Sequence, residues 1–313
     1  MVADDGRGED PAAGGPAADV PEAVGDLDHA AAVFAEVRRR LFGIAYRMLG
    51  SVTEAEDLVQ DVWLRWQTYD RAAVADPAAF LATTTTRLAI NVLRSARVRR
   101  ESYVGPWLPE PVDTGSDPYL GAERGEALSF AVLMLLERLS PTERAAYVLR
   151  EAFDYPYPQI AEILQAGEAA VRQLVSRARK HLRSERRAPV TGAEQRRLLT
   201  AFVAAARAGD MAALEEILAA DAVSYSDGGG AVRASRFPVV GAVRVAKYVR
   251  AFANQFWDGV DVEWATVNGQ WAALLQRDGR TFAVLTVDGS DQGIGQVLWM
   301  MNPAKITAAA AVA

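Results

Sequence analysis

LSPTERAAYVLREAFDYPYPQIAEILQAGEAAVRQLVSRARKHL, residues 139–182, decides how the first half of this chain folds. Ser140 stands at a helix start and Pro141 takes the first helical position, where a missing N–H costs nothing. Two shorter helices follow, 158–164 and 168–185, separated by Gln165-Ala166-Gly167. Ile160, Ala161 and Leu164 on the first, with Val171, Leu174 and Val175 on the second, supply the packing of a three-helix unit. The opposite face of the last helix is left free, and it carries Arg172, Gln173, Ser176, Arg177, Arg179 and Lys180. Major-groove reading needs such a protruding helix, with bidentate donors near its start and phosphate donors around them. A solvated face on a purely structural bundle is the alternative.

Moving outward, FAEVRRRLFGIAYRML (34–49) shows helical spacing that Gly50 ends, and EAEDLVQDVWLRW (54–66) reads as a helix capped by Thr53 with Glu56. Its start is acidic, a dipole complement or a protein-binding face. A third helix runs over about 78–100 and ends basic, with Arg87, Arg94, Arg97, Arg99 and Arg100. Thr83 to Thr86 and Asn91 add polar groups that suit contact with unstacked bases. Residues 102–121 are rich in Pro and Gly and read as a linker. After residue 192 the texture changes: helices precede apolar runs rich in Val, Trp and Thr, punctuated by the hairpin signals Asn268-Gly269 and Asp278-Gly279. The expected architecture is therefore multidomain, with two all-α units and a carboxy-terminal α+β cone with a curved antiparallel sheet.

Composition narrows the chemistry. The 313 residues, 50% hydrophobic and 24% charged, suffice for two or three domains. With no Cys and only His29 and His181, no metal centre, cofactor or nucleophilic catalysis is expected. The net charge of −6 hides local basic surface, because residues 1–28 hold eight acidic side chains against Arg7 alone. That segment reads as a disordered acidic tail. No stretch is apolar enough to span a membrane and no export signal is expected, which places the protein in the cytoplasm.

EAEDLVQDVWLRW with PAAFLATTTTRLAINVLRS resembles region 2 of the sigma-70 family, and 139–182 resembles region 4. Without intervening domains, the chain resembles an extracytoplasmic-function sigma factor. The resemblance implies region 2 over 29–101, a linker over 102–121 and region 4 over 122–187. It implies partners in promoter DNA and the β′ and β subunits of core RNA polymerase. Asp57, Gln60, Asp61 and Trp63 would meet the polymerase. Arg87, Asn91 and Arg94 would serve the minus-ten element, with 69–80 as a specificity loop, and Arg172, Arg177 and Lys180 the minus-thirty-five major groove.

Three strings are similar to a subgroup with a fused SnoaL-like, nuclear-transport-factor-2-like domain, here 193–306 with a tail over 307–313. They are Trp107-Leu108-Pro109-Glu110-Pro111, Asp227-Gly228-Gly229-Gly230-Ala231-Val232 and Asn302-Pro303-Ala304-Lys305-Ile306. The usual forms, DGGGKV and NPDKL, make Ala231 and Ala304 departures. That resemblance implies regulation in cis. Trp107 lacks a local helix to bury it and Gly228 to Gly230 allow close approach, so the linker and the 227–232 turn are expected to share one interface. Trp264, Trp271, Phe282 and Trp299 read first as core; as a pocket they would leave an unidentified small-molecule ligand open, and the carboxylates Asp221, Asp227, Asp258, Asp261 and Glu263 have no histidine there to pair with for catalysis. A ligand-responsive helix-turn-helix regulator, or an isomerase or cyclase fused to a DNA-binding unit, are the other readings.

Overall fold

A computed structural model describes residues 20–115, 128–185, 188 and 190–310, with side chains over 27–95, 102–115, 128–183, 188 and 190–306. Residues 1–19, the end of the linker with 122–127, residues 186, 187 and 189, and the last three residues lie outside the described residues. Helix α1 (Val20–Leu49) begins inside the segment that reads as a tail. Its Leu41, Ile44, Ala45 and Met48 are fully buried, and a helix so anchored propagates back through residues that would not nucleate one. Helix α2 (Val52–Thr68) follows after Gly50 at φ 67°. Its N-cap is Ser51, not Thr53, because Ser51 Oγ accepts from Glu54 N at 3.1 Å. Helix α3 spans Pro77–Glu101.

Region 4 comprises α4 (Phe130–Leu136), α5 (Pro141–Glu151), α6 (Tyr157–Leu164) and α7 (Glu168–Glu185). Ser140 and Glu143 form a complete capping box on α5. Gln165, and not Gly167, takes the left-handed position of the helix-turn-helix turn, at φ 51° and ψ 47°. The helical part has one continuous core: Leu41, Val62 and Leu81 belong to the same buried cluster as Leu149, Ile160 and Val175. Buried arginines cross between its halves. Arg144 donates to Met48 O at 2.6 Å and pairs with Glu137 at 2.7 Å. Arg47 lies 5.0 Å from the Phe153 ring centroid.

The carboxy-terminal unit runs α8 (Gly192–Ala208), α9 (Met211–Ile217), β1 (Leu218–Asp227), β2 (Val239–Val240), α10 (Ala242–Phe256), β3 (Asp261–Val267), β4 (Gln270–Arg277), β5 (Arg280–Ser290), β6 (Gly293–Met300) and α11 (Pro303–Ala310). Thus α11 extends into the stretch expected as a tail. The sheet order is β2-β1-β6-β5-β4-β3. It is mixed and not purely antiparallel, since β1 and β6 pair in parallel, joined by a long crossover and not by a turn. Register irregularities in the β1–β6, β4–β5 and β5–β6 pairs bend the sheet. Helices α8 and α10 fill its concave side with Leu199, Phe202, Val245 and Ala246. On the other side Leu108 of the linker and Phe130 of α4 pack with Val267, Ala272, Val284, Leu298 and Met300.

Candidate nucleic-acid interface and the linker clamp

On α7 the buried positions are Val171, Val175, Ala178 and Leu182, and the remaining arc is solvent-facing. Arg172, Gln173, Ser176, Arg177, Lys180 and Arg183 lie along it. Arg172 stacks 4.3 Å from the Tyr157 ring centroid and bonds Glu168 one turn earlier. Arg177 leans on Glu143 at 3.2 Å. These surface pairs are weak enough to yield to a phosphate or a base edge. Arg179 differs: its guanidinium holds Glu151 of α5 at 2.6 Å, a tie between two helices of the unit, while its side chain stays partly exposed.

On α3, Asn91 and Arg94 are exposed one turn apart. Arg87 is spent within the protein, donating to Ile163 O at 2.9 Å and Glu162 O at 3.1 Å at the end of α6. The Thr83–Thr86 run is a correction to the base-contact reading. Each hydroxyl donates to the carbonyl four residues back, from Ala79 to Ala82, and Thr85 and Thr86 are fully buried.

On α2, Asp57, Gln60 and Asp61 form an exposed stripe. Leu64 continues it at 52% exposure, an apolar residue on an acidic face that the helical spacing alone did not single out. Trp63 turns inward, its ring 5.0 Å from Phe34.

The linker is the surprise of the fold. Leu108 N donates to Asp227 Oδ2 at 2.9 Å and Leu108 O accepts from Lys305 Nζ at 2.5 Å. Glu110 N donates to Gly50 O at 2.8 Å and Glu110 O accepts from the Tyr46 hydroxyl at 2.6 Å. Val112 N donates to Asn268 Oδ1 and Val112 O accepts from Asn268 N, both at 2.9 Å. Thr114 N donates to Thr266 O at 3.0 Å. Every second residue is thus tied on its inner side. The intervening Pro109 and Pro111 are also buried, and each lacks the N–H that burial would otherwise strand.

Two carboxylates anchor this segment. Glu110 caps α2, accepting from Ser51 Oγ at 2.8 Å, Val52 N at 2.7 Å and Thr53 N at 3.2 Å. Asp227 is fully buried; besides Leu108 N it takes Lys305 Nζ at 2.7 Å and the Tyr103 hydroxyl at 2.5 Å. Burial and the neighbouring Asp227 push the Tyr103 pKa well above its ordinary value. Asn302 Nδ2 donates to that same hydroxyl at 2.8 Å.

Trp107 does not sit on the triple glycine. Its ring lies 4.3 Å from Lys305 Nζ and covers Gly50, where a Cβ would come within 2.7 Å of the indole. Gly229, at φ 58°, instead makes room for Asn302, and Gly230 lies beside Val104. Gly228 is buried in the turn, and Pro303 is exposed at the start of α11. Ala231 and Ala304, the two departures from the subgroup strings, are both solvent-exposed and take no part in the clamp. Tyr103, Glu110, Asn268 and Lys305 were not among the expected site residues. Lys305 was visible as a lone charge in an Ala-rich end, and Glu110 as an acid between two prolines.

The expected aromatic pocket is divided. Trp264 and Trp271 stack on each other at 6.0 Å away from the cavity, which Trp299 lines, while Phe282 faces a second hollow. Asp227 is consumed by the clamp, so it is not free to act as an acid or base.

Comparison with known proteins identifies both helical regions. The sigma-70 region 2 family matches residues 33–99 and the sigma-70 region 4 family residues 129–182. The ECF RNA polymerase sigma factor SigJ of Mycobacterium tuberculosis is 38% identical over 248 residues, covering 77% of this chain and 79% of its own. The probable ECF RNA polymerase sigma factor SigI of the same species is 33% identical over 195 residues, 61% of this chain and 67% of its own. The crystal structure of SigJ superimposes with a TM-score of 0.70 at 32% identity, over 88% of this chain and 97% of that one, so the likeness includes the carboxy-terminal domain. The chain therefore belongs to the extracytoplasmic-function sigma factors of the sigma-70 family, proteins that bring RNA polymerase to promoters to initiate transcription.

Proposed function

We propose that this sigma factor is regulated in cis by its carboxy-terminal domain, through the linker clamp. The observation that carries the proposal is Asp227: a fully buried carboxylate of that domain spends its oxygens on the linker backbone at Leu108, on Lys305 and on Tyr103. The spacing of regions 2 and 4 then depends on a contact that a transcription cycle can make or release. Core polymerase binds the exposed Asp57, Gln60, Asp61 and Leu64 stripe, with the β′ subunit as its partner there and β as a further contact. Asn91 and Arg94 serve the minus-ten element. Arg172, Gln173, Ser176, Arg177 and Lys180 serve the minus-thirty-five element. Arg87, tied to the end of α6, becomes a DNA contact only if regions 2 and 4 separate, and Arg179 only if it leaves Glu151 within region 4. The chain itself performs no catalysis and works in the cytoplasm, where promoters and polymerase are.

The test is transcription by purified core polymerase on templates carrying start sites mapped for this factor. Asp227→Asn and Lys305→Met are expected to change output at unchanged core affinity, whereas Asp61→Arg lowers core affinity. Clamp variants with wild-type output would refute cis regulation.

A further inference from the structure

Residues 228–257 of the carboxy-terminal domain hold five basic side chains, Arg233, Arg236, Arg244, Lys247 and Arg250, and no acidic one. All five are exposed. Helix α10 buries Val245, Ala246, Val249 and Ala253 in the core, so Arg244, Lys247 and Arg250 stand at three-residue intervals on its outer side. The loop before it runs beside the same helix, because Arg233, Ala234 and Ser235 share a cavity rim with Tyr248 and Phe252.

Like charges on adjacent turns of a helix repel, and a solvated helix commonly relieves them with acids. Here none of the five makes an ion pair among the described residues, although α9, with Glu215 and Glu216, packs on α10. Apolar groups stand among these cations: Phe237 is 78% exposed, and Val240 and Val243 are about half exposed. A basic surface with a bare aromatic ring suits a nucleic-acid strand, the cations taking phosphates and the ring stacking on an unpaired base. A duplex keeps its base faces covered, so it would use the charges and leave Phe237 idle.

Position points the same way. Helix α3 ends at Glu101, and four residues later Gly105 packs on the loop, where a Cβ would lie 3.9 Å from Arg236 Cα. Four residues span at most about 14 Å. The surface therefore begins where the basic end of α3 stops.

We infer that this face of the carboxy-terminal domain binds single-stranded DNA, with phosphates on Arg236, Arg244, Lys247 and Arg250 and a base stacked on Phe237. The strand it meets in transcription is the one that unwinding at α3 releases. That last step rests on the minus-ten role proposed above; the binding does not, and it is measured without promoter or polymerase.

The experiment is fluorescence anisotropy of the full chain with a labelled oligothymidylate of about 20 nucleotides, over a salt series, and with a duplex of equal length. Changing Arg244, Lys247 and Arg250 together to Gln should weaken binding of the single strand about tenfold or more at low salt and lower the salt slope by about two units. Phe237→Ala should weaken the single strand about tenfold at an unchanged slope and leave the duplex as it was. Circular dichroism checks that both variants fold. Unchanged affinity and slope in the triple variant would overturn the inference and leave the surface to an acidic protein segment such as residues 1–28. A Phe237→Ala loss equally large on the duplex would overturn the choice of unpaired DNA. If the oligothymidylate results hold while Asn91→Ala leaves minus-ten preference unchanged, the surface stands and only its place on the promoter falls.

Discussion

Helix α7 and the linker segment 102–115 are both connectors of this molecule to something else, and they do it in opposite ways. The helix satisfies its own backbone and fully buries only Val171, Val175, Ala178 and Leu182, so Gln173, Ser176 and Lys180 face solvent beside the surface-paired Arg172 and Arg177, within reach of a foreign partner. The linker has no regular structure beyond a bridge between Asp113 and Val267, yet Leu108, Pro109, Glu110, Pro111, Val112 and Thr114 are all buried. Its backbone must then be satisfied by other parts of the chain, and it is: by α1, by Asp227 and Lys305, and by the β3–β4 hairpin. A buried irregular segment is a clamp by physical necessity. A regular helix with a free face is an interface by surplus.

The comparison breaks most readily at Asp227. Asp227→Ala leaves Lys305 charged and buried without its counter-ion, and is expected to cost about 3–5 kcal/mol in urea unfolding of the full chain. Replacing both partners, with Asp227→Leu and Lys305→Met, should recover much of that loss. A cost below about 1 kcal/mol for the single change would show that the linker is held by its apolar contacts alone.

Arg172→Ala sharpens the other side. It removes only a surface contact to Glu168 and stacking on Tyr157, so stability should move little. Promoter affinity should fall by about 1–3 kcal/mol with relaxed preference at one position of the minus-thirty-five element. Lys180→Ala should weaken all sequences alike and lower the salt slope by about one unit. Identical behaviour of the two variants in binding titrations would deny α7 the division between base and phosphate contacts.

These two surfaces also mark what was readable in advance. Local signals were read correctly where local groups answer them: Ser140 with Glu143 caps α5, and Asn268-Gly269 turns a hairpin with both residues at positive φ. They failed where a distant group competes. Thr53 and Glu56 form a plausible capping box, but Ser51 wins because Glu110 reaches it across 59 positions. Asn268 was legible as a turn residue, but not as the donor to Tyr46 at 2.6 Å that fastens the hairpin to α1. Hairpin residues announce only antiparallel neighbours, so the parallel β1–β6 pair had no signal. The Thr83–Thr86 hydroxyls suggested DNA contact because composition does not show that a helix can absorb them.

Glu110 tests whether the clamp reaches region 2 as firmly as it reaches the carboxy-terminal domain. Glu110→Ala strands the first N–H groups of α2 and is expected to cost about 1–2 kcal/mol, with Glu110→Gln costing less because one acceptor remains. Hydrogen exchange at Val52 and Thr53 should quicken in the alanine variant. Unchanged exchange there would make the cap incidental and confine the clamp to Asp227.

The smallest effect expected is a slope with pH. Tyr103 has its pKa raised, first by burial and then by its bond to Asp227, and burial raises Tyr46 as well. In the unfolded chain both phenols lose their protons near the ordinary tyrosine value of about 10. Above that pH the folded protein retains protons that the unfolded chain has released, so stability is fully present below pH ~10 and declines as pH rises further. Tyr103→Phe removes one of those protons and leaves Tyr46, so unfolding free energies measured by urea from pH 9 to about 11 should decline less steeply than in the wild type. The variant also costs Asp227 one donor, which lowers the whole curve without changing the sign of its slope. Parallel curves would mean that the Tyr103 hydroxyl titrates as though it were in water, and that Asp227 holds the linker through Leu108 and Lys305 alone.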